Sequence, residues 1–348
     1  MNADREIKPR ERVMHAIRHE ETDRVPRFVN FSSTVADRLL EELQLSDESS
    51  LKSYFQADID LYEIPYRCPR LDGKDLFGVE YQKSPERKKN NIKFHPLANI
   101  QGEDDIVYHE WPNPDWADYT AIKRKLSDAF AEDRFTAASC GGGLVNQTFN
   151  LIGRDNFLSA IDYNPHLLNA VIWKLNEFFM EVDRRLFTCC HGILDMSYHV
   201  NDLSSLDRGL FLDFFAGPIS ELNRQAKSFG LKTMLYTPGA VGGLIPELIE
   251  CGYDVIAPLQ YSAKANSAEA LKDGFGDQIA FMGHVCTDKV LAIKSADEIH
   301  GHVSGICEAM KHNGGFIIGP DDLIEDNIPT ENILALYEAA DIYGNYEQ

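Results

Sequence analysis

The chain has 348 residues, 44% of them hydrophobic and 26% charged, with a formal net charge of -21. That length buries a sizeable core, and so acidic a balance excludes nucleic acid and anionic membrane surfaces, which select clustered Lys and Arg. Seven irregularly spaced cysteines without a CxxC pair, behind a polar N-terminus, read as reduced thiols of a cytoplasmic protein, and no apolar run approaches the roughly 20 residues of a membrane span.

Val13, Met14 and Ile17 predict an amphipathic helix over 10–19. An extended segment at 27–31 follows Pro26, and a helix over 34–44 carries Val35, Leu39, Leu40 and Leu43 on one face. Alternation over 57–62 predicts a strand. Residues 65–114 form a long insertion rich in Pro, Asn, Lys and charge, read as a small β-excursion at 77–82 and 92–94 that covers one end of the fold. Its basic run, Arg87-Lys88-Lys89, reads as a solvated turn.

From Trp116 onward helices and strands alternate regularly. A helix over 118–130 precedes a strand over 135–140 that ends in Gly141-Gly142-Gly143. Helices over 151–161 and 165–188 follow, the second opened by Asn164-Pro165, a cap followed by a first-turn proline. A strand over 193–200 and a helix over 208–229 come next. Residues 232–260 then contain a strand, a helix closed by Gly252 and a second strand, a βαβ unit that implies parallel pairing. A helix over 267–274, a strand over 279–285, a helix over 296–312, a strand over 316–318 and a helix from about Thr330 complete the chain.

The candidate strands centre on Phe28, Ile59, Thr136, Leu194, Met234, Val255, Ala280 and Ile317. Eight βα units without a visible linker predict an α/β fold of one domain over 1–348, a (β/α)8 TIM barrel with an N-terminal helical extension and the 65–114 insertion. No G-x-G-x-x-G fingerprint, P-loop, G-x-S-x-G elbow or H-E-x-x-H is present, which removes the common nucleotide-binding and hydrolase readings.

In such barrels chemistry sits on the loops after the strands' C-terminal ends. The polar residues expected there are Asn146 and Gln147, His199 and Asp202, Tyr236, Gln260 and Asp321. The triple glycine allows close backbone approach to a ligand or serves as a plain tight turn. His199 beside Asp202 stands where a general acid/base or a metal ligand would be useful. His284 and Cys286 lie two apart on a strand and so point to one side, the arrangement for a Zn²⁺ pair; His199, Asp202, Cys140 or Asp321 is the candidate third ligand. Cys251 and Cys307 fall on helices and read as packing residues.

Taken together the segments resemble the uroporphyrinogen decarboxylase superfamily, which includes the corrinoid-dependent methyltransferases. The likeness is carried by 9–13 (PRERV), 19–26 (HEETDRVP), 78–81 (GVEY), 151–158 (LIGRDNFL), 239–252 and 329–333 (PTENI). The resemblance implies a barrel with a deep pocket at its C-terminal face. Uroporphyrinogen decarboxylases carry an arginine-rich segment for the substrate's carboxylates; here Pro26 is followed by 27–32 (RFVNFS), without such a cluster. Their catalytic aspartate would fall at Asp58 or Asp60. The zinc-dependent methyltransferases carry a His-x-Cys pair where this chain has Tyr236-Thr237-Pro238, and a further Cys where it has Gly319-Pro320-Asp321. A subgroup demethylates methoxylated or methylamine-type substrates and needs no thiol activation.

The reading is a methyltransferase that moves a methyl group from a small methylated substrate to a separate corrinoid protein, with zinc compatible and a homodimer allowed. His199, Tyr236 and Asp202 are the candidate catalytic residues, Asn146, Gln147, Gln260, Asp58 and Asp321 the candidate substrate contacts, and His284 with Cys286 the candidate metal pair. The alternatives are a decarboxylase, of uroporphyrinogen or a smaller acid, and a barrel that binds a small molecule without catalysis.

Overall fold

Helix α1 (Pro9–Ile17) places proline in its first turn, where a missing N–H costs nothing. Its Val13, Ala16 and Ile17 are buried in one cluster with Phe135, Met234 and Ile317. The helix plugs the amino-terminal end of the barrel, tied there by Arg10 N–H to Asp133 O at 2.8 Å and Gly315 N–H to Ala16 O at 2.9 Å. The computed structural model describes residues 7–69, 73–82, 91–204, 206–239, 241–259 and 267–346; the basic run at 87–89 and Gln260 lie outside the described residues.

Helices α2 (Ser33–Glu42) and α3 (Glu48–Tyr54) are capped by Ser32 and Asp47, whose side chains accept from the N–H groups of Val35 and Ser50. β1 (Ile59–Glu63) follows. The insertion contains an antiparallel pair, β2 (Glu80–Gln82) and β3 (Asn91–Phe94), then the short α4 (Glu103–Val107). After it come α5 (Tyr119–Ala131), β4 (Phe135–Ser139), α6 (Leu144–Ile152), α7 (Arg154–Ala160), α8 (Pro165–Cys189) and β5 (Met196–Val200). α9 (Arg208–Leu210) continues through a π-helical turn into α10 (Ala216–Ser228), β6 (Lys232–Tyr236), α11 (Ile245–Glu250) and β7 (Val255–Leu259). α12 (Ala268–Phe275), β8 (Ala280–Val285), α13 (Ala296–Met310), β9 (Phe316–Pro320) and α14 (Thr330–Tyr343) end the fold.

Seven strands pair in parallel in the order β1-β4-β5-β6-β7-β8-β9. The eighth expected strand, at 27–31, is reduced to isolated bridges: Arg27 with Ile318 and Phe28 with Ile59 within the barrel, and Phe31 with Ile324 beyond it. Phe28 N–H donates to Ile318 O at 2.8 Å and Asp58 N–H to Arg27 O at 2.9 Å, so this short stave touches both β9 and β1 and closes the ring. Gly319 permits it, since a Cβ there would lie 2.7 Å from Phe28 O. Beyond Phe28 the chain leaves β1 and bonds to Ile324 through Asn30 and Ser32. A slot opens between 28–31 and the end of β1.

Inward side chains alternate along the strands as the pleat requires: Ile59 and Leu61, Phe135 and Ala137, Met196, Tyr198 and Val200, Met234 and Tyr236, Val255 and Ala257. The outer faces pack on the helices in a second, larger cluster. Two expectations need correction here. α6 begins directly after Gly143, so Asn146 and Gln147 lie on a helix and not on a loop, and Gly153 at φ 85° separates α6 from α7 where one helix over 151–161 was expected. Gly143 is obligatory because a Cβ would meet Val200 O at 1.9 Å. No helix among the described residues is long and apolar enough to cross a membrane.

Candidate active site

A cavity of about 760 Å³ lies at the carboxyl ends of β1, β5 and β6 and extends through the slot beside β1. Its inner half is made by Leu61 and Glu63 of β1, Tyr198 and Val200 of β5 and Tyr236 of β6, with 28–31 as its lip. The Tyr198 and Tyr236 rings are 6.3 Å apart at 51°. Glu63 is exposed at the mouth, and the partial loss of water against the cavity wall moves its carboxyl above the ordinary value. Burial also holds the Tyr236 hydroxyl well above its ordinary value, helped by the negative charges of Asp322, Asp321 and Glu63; the Asn30 side chain hydrogen-bonds it and pulls the other way. Burial, then Glu63, does the same to Tyr198. Both tyrosines therefore stay protonated as hydrogen-bond donors.

The outer half, on the other face of β1, is an ion-pair network. Asp60 takes Lys52 Nζ at 2.9 Å and Arg134 Nε at 2.7 Å. Tyr62 donates to Asp60 at 3.2 Å and is pushed up to about 12 by burial and then by that carboxylate. Burial pulls Lys52 down, but Asp60, Tyr62 and Glu48 outweigh it and hold the ammonium above its ordinary value. Lys52 and Arg134 are thus matched by carboxylates, while Lys125 Nζ lies 6.0 Å from the centroid of the Tyr62 ring.

Of the expected site residues among the described ones, Tyr236 lines the cavity's inner half and Asp60, one of the two positions implied for the family's aspartate, its outer half. His199 has the opposite parity from Tyr198 and Val200 on β5, so it faces the helix layer, where its Nε2 meets Asp183 Oδ2 of α8 at 3.0 Å. Asp202 and Asn146 do come together, but to fix the β5 loop: Asp202 N–H donates to Asn146 Oδ1 at 2.8 Å, while Asp202 Oδ1 accepts from Ser204. Gln147 is buried, with no hydrogen-bond partner for its Nε2 among the described residues. Asp321 accepts from the N–H and Oγ1 of Thr287 at 2.9 and 3.0 Å, and burial raises its carboxyl.

Asp58 sits at the far, amino-terminal end of β1. It receives Arg12 at 2.6 Å, Arg24 at 2.7 Å and the N–H of Arg27 at 2.7 Å, and is wholly buried. This is a staple in the floor of the barrel, remote from the mouth. The His284–Cys286 pair belongs to no three-ligand group among the described residues. Gly283 and His284, at φ 106° and 80°, break the alternation that would have aligned the two side chains. His284 lies beside His302 of α13, which lowers it after burial does, whereas Cys286 lies beside Asp321.

The residues that sequence reasoning missed are Glu63, Tyr198, Asn30 and Asp183. The first two had a signal: extending the alternation of β1 by two residues reaches Glu63, and Tyr198 shares the parity of Met196. Asp183 had none, because nothing in a 25-residue amphipathic helix marks the turn that meets a strand.

A closed parallel barrel with its cavity at the strands' carboxyl ends is the architecture of a (β/α)8 enzyme scaffold. The chain belongs to the uroporphyrinogen decarboxylase (URO-D) family, whose model matches residues 138–343. Among solved structures, a methyltransferase from Methanosarcina mazei superposes over 97% of this chain and 99% of its own, at 17% identity and a TM-score of 0.68. A glycoside hydrolase family 5 enzyme from Prevotella bryantii B14 covers 97% of this chain and 100% of its own at 8% identity, with a TM-score of 0.45. Comparison with curated proteins finds no match.

Proposed function

We propose that the protein is a methyltransferase of this family that takes a methyl group from a small methylated donor and passes it to a corrinoid carried by a separate protein. The observation that carries the reading is the composition of the cavity's inner half: two protonated tyrosines and a carboxyl of raised pKa, with the lining cations Lys52, Lys125 and Arg134 confined to the outer half. A decarboxylase of a polyanionic substrate needs a cluster of unmatched cations, whereas Lys52 and Arg134 in the outer half are bound to Asp60 and Lys125 stands over the Tyr62 ring. The methyltransferase from Methanosarcina mazei shares the fold over almost the full length of both chains.

The corrinoid, when the partner delivers it, supplies the methyl-accepting cobalt(I) centre. This chain's residues hold the donor. Glu63 keeps its proton to a higher pH than an ordinary carboxyl and gives it to the departing oxygen or nitrogen, and Tyr236, oriented by Asn30, donates a hydrogen bond to the same atom. Leu61, Val200 and Phe28 supply an apolar wall for the methyl group. A zinc ion of the thiol-activating kind does not fit this mouth, since no Cys or His lines the cavity among the described residues. The test is formation of methylcobalamin from free cob(I)alamin with a panel of methoxylated and methylamine-type donors. Turnover of at least one donor supports the reading. Failure of the whole panel, with release of CO2 from a carboxylic acid instead, rejects it.

A further inference from the structure

Behind the barrel wall, between β4, β5 and α8, lies a second cluster of buried polar side chains. Cys140 follows β4, His199 is on β5 and Asp183 projects from α8, and the three are 0%, 3% and 1% exposed. One ligand atom from each lies within 4.8 Å of the other two. None of the three lines the mouth cavity. Asp183 engages His199 through Oδ2, while its Oδ1 is buried and has no hydrogen-bond partner among the described residues. A buried carboxylate oxygen left unmatched is costly, and native proteins usually match it with a donor or a cation.

We propose that Cys140, Asp183 and His199 form a site for a zinc-class divalent ion that anchors α8 to the barrel wall and takes no part in the chemistry of the mouth. Thiolate, imidazole and carboxylate are the donors Zn²⁺ prefers, and the second carboxylate oxygen supplies a fourth. A thiolate and a carboxylate cancel the ion's two positive charges, so the loaded site is neutral although fully buried. Zn–S and Zn–N distances of about 2.3 and 2.0 Å bring the ligands somewhat closer together than in the empty arrangement.

The full-length protein, stripped with chelator, is titrated with Co²⁺ as a coloured surrogate. The site predicts saturation at about one ion per chain, with thiolate-to-cobalt charge-transfer absorption that added Zn²⁺ displaces. The band disappears in Cys140→Ser and is retained in Tyr236→Phe. Wild-type protein that gives no thiolate band overturns the site whether or not the variants fold. So does a band that survives in Cys140→Ser, which would assign it to another thiol such as Cys189.

Discussion

At the mouth of the barrel Glu63 stands among two tyrosines, and the partial loss of water raises its carboxyl. A raised carboxyl means that the native state holds a proton the unfolded chain has lost. Its contribution to stability is therefore complete below the ordinary carboxylate pKa and is lost as pH rises through the raised value. Glu63→Gln, which cannot titrate, is expected to flatten that decline, so the variant melts higher than wild type at neutral pH and alike at acid pH; melting temperatures between about pH 4 and 8 check this. In turnover the same substitution removes the proton donor and is expected to lower kcat by roughly 10²- to 10⁴-fold. Tyr236→Phe, which removes one hydrogen bond, is expected to cost about tenfold. Tyr236 was legible because a strand before Pro238 had to end there. His199, expected at the mouth, faces the helix layer for a physical reason: Asp195, Ser197 and His199 alternate with Met196, Tyr198 and Val200, and nothing local says which set faces inward.

At the scale of elements, the N-terminal arginines have a mechanical explanation. Arg10 holds Asp195 with contacts of 2.6, 2.8 and 3.0 Å, and Arg12 and Arg24 both hold Asp58. They fasten α1 as a plug beneath the barrel. Removing the carboxylate leaves the nearly buried Arg24 without a carboxylate partner and takes one of two from Arg12, which keeps Asp23. Asp58→Ala is therefore expected to destabilise the fold by about 3–5 kcal/mol, measured by denaturant unfolding, with kcat/KM per folded molecule unchanged. A collapse of turnover without a loss of stability would instead return Asp58 to the reacting site. The helices and strands themselves were largely legible from periodicity. The split at Gly153 was not, because apolar spacing continues across it. The stave at Arg27–Phe28 was read as a longer strand because Val29 and Phe31 continue the apolar pattern; those residues line the cavity instead, with Phe31 packed on Phe55 and Tyr337.

At the scale of the whole molecule, a ring of seven strands closed by two residues explains where the cavity lies. The missing length of the eighth strand is the slot that joins the aromatic mouth to the ionic cleft around Asp60. Gly319→Ala pushes a methyl group against Phe28 O and is expected to loosen the closure, costing about 1–3 kcal/mol and exposing the slot, which hydrogen exchange at β1 and β9 would register. Barrel closure was legible from the count of βα units, whereas the slot was not, since it depends on where one chain segment leaves its neighbour. The central claim is that chemistry occurs at Glu63 and Tyr236 and not at His199. It is tested most directly by methyl transfer to cob(I)alamin in three variants, with rates expressed per folded molecule. The account predicts that Glu63→Gln and Tyr236→Phe lose turnover while His199→Gln keeps it; turnover abolished in His199→Gln and intact in the other two would contradict it.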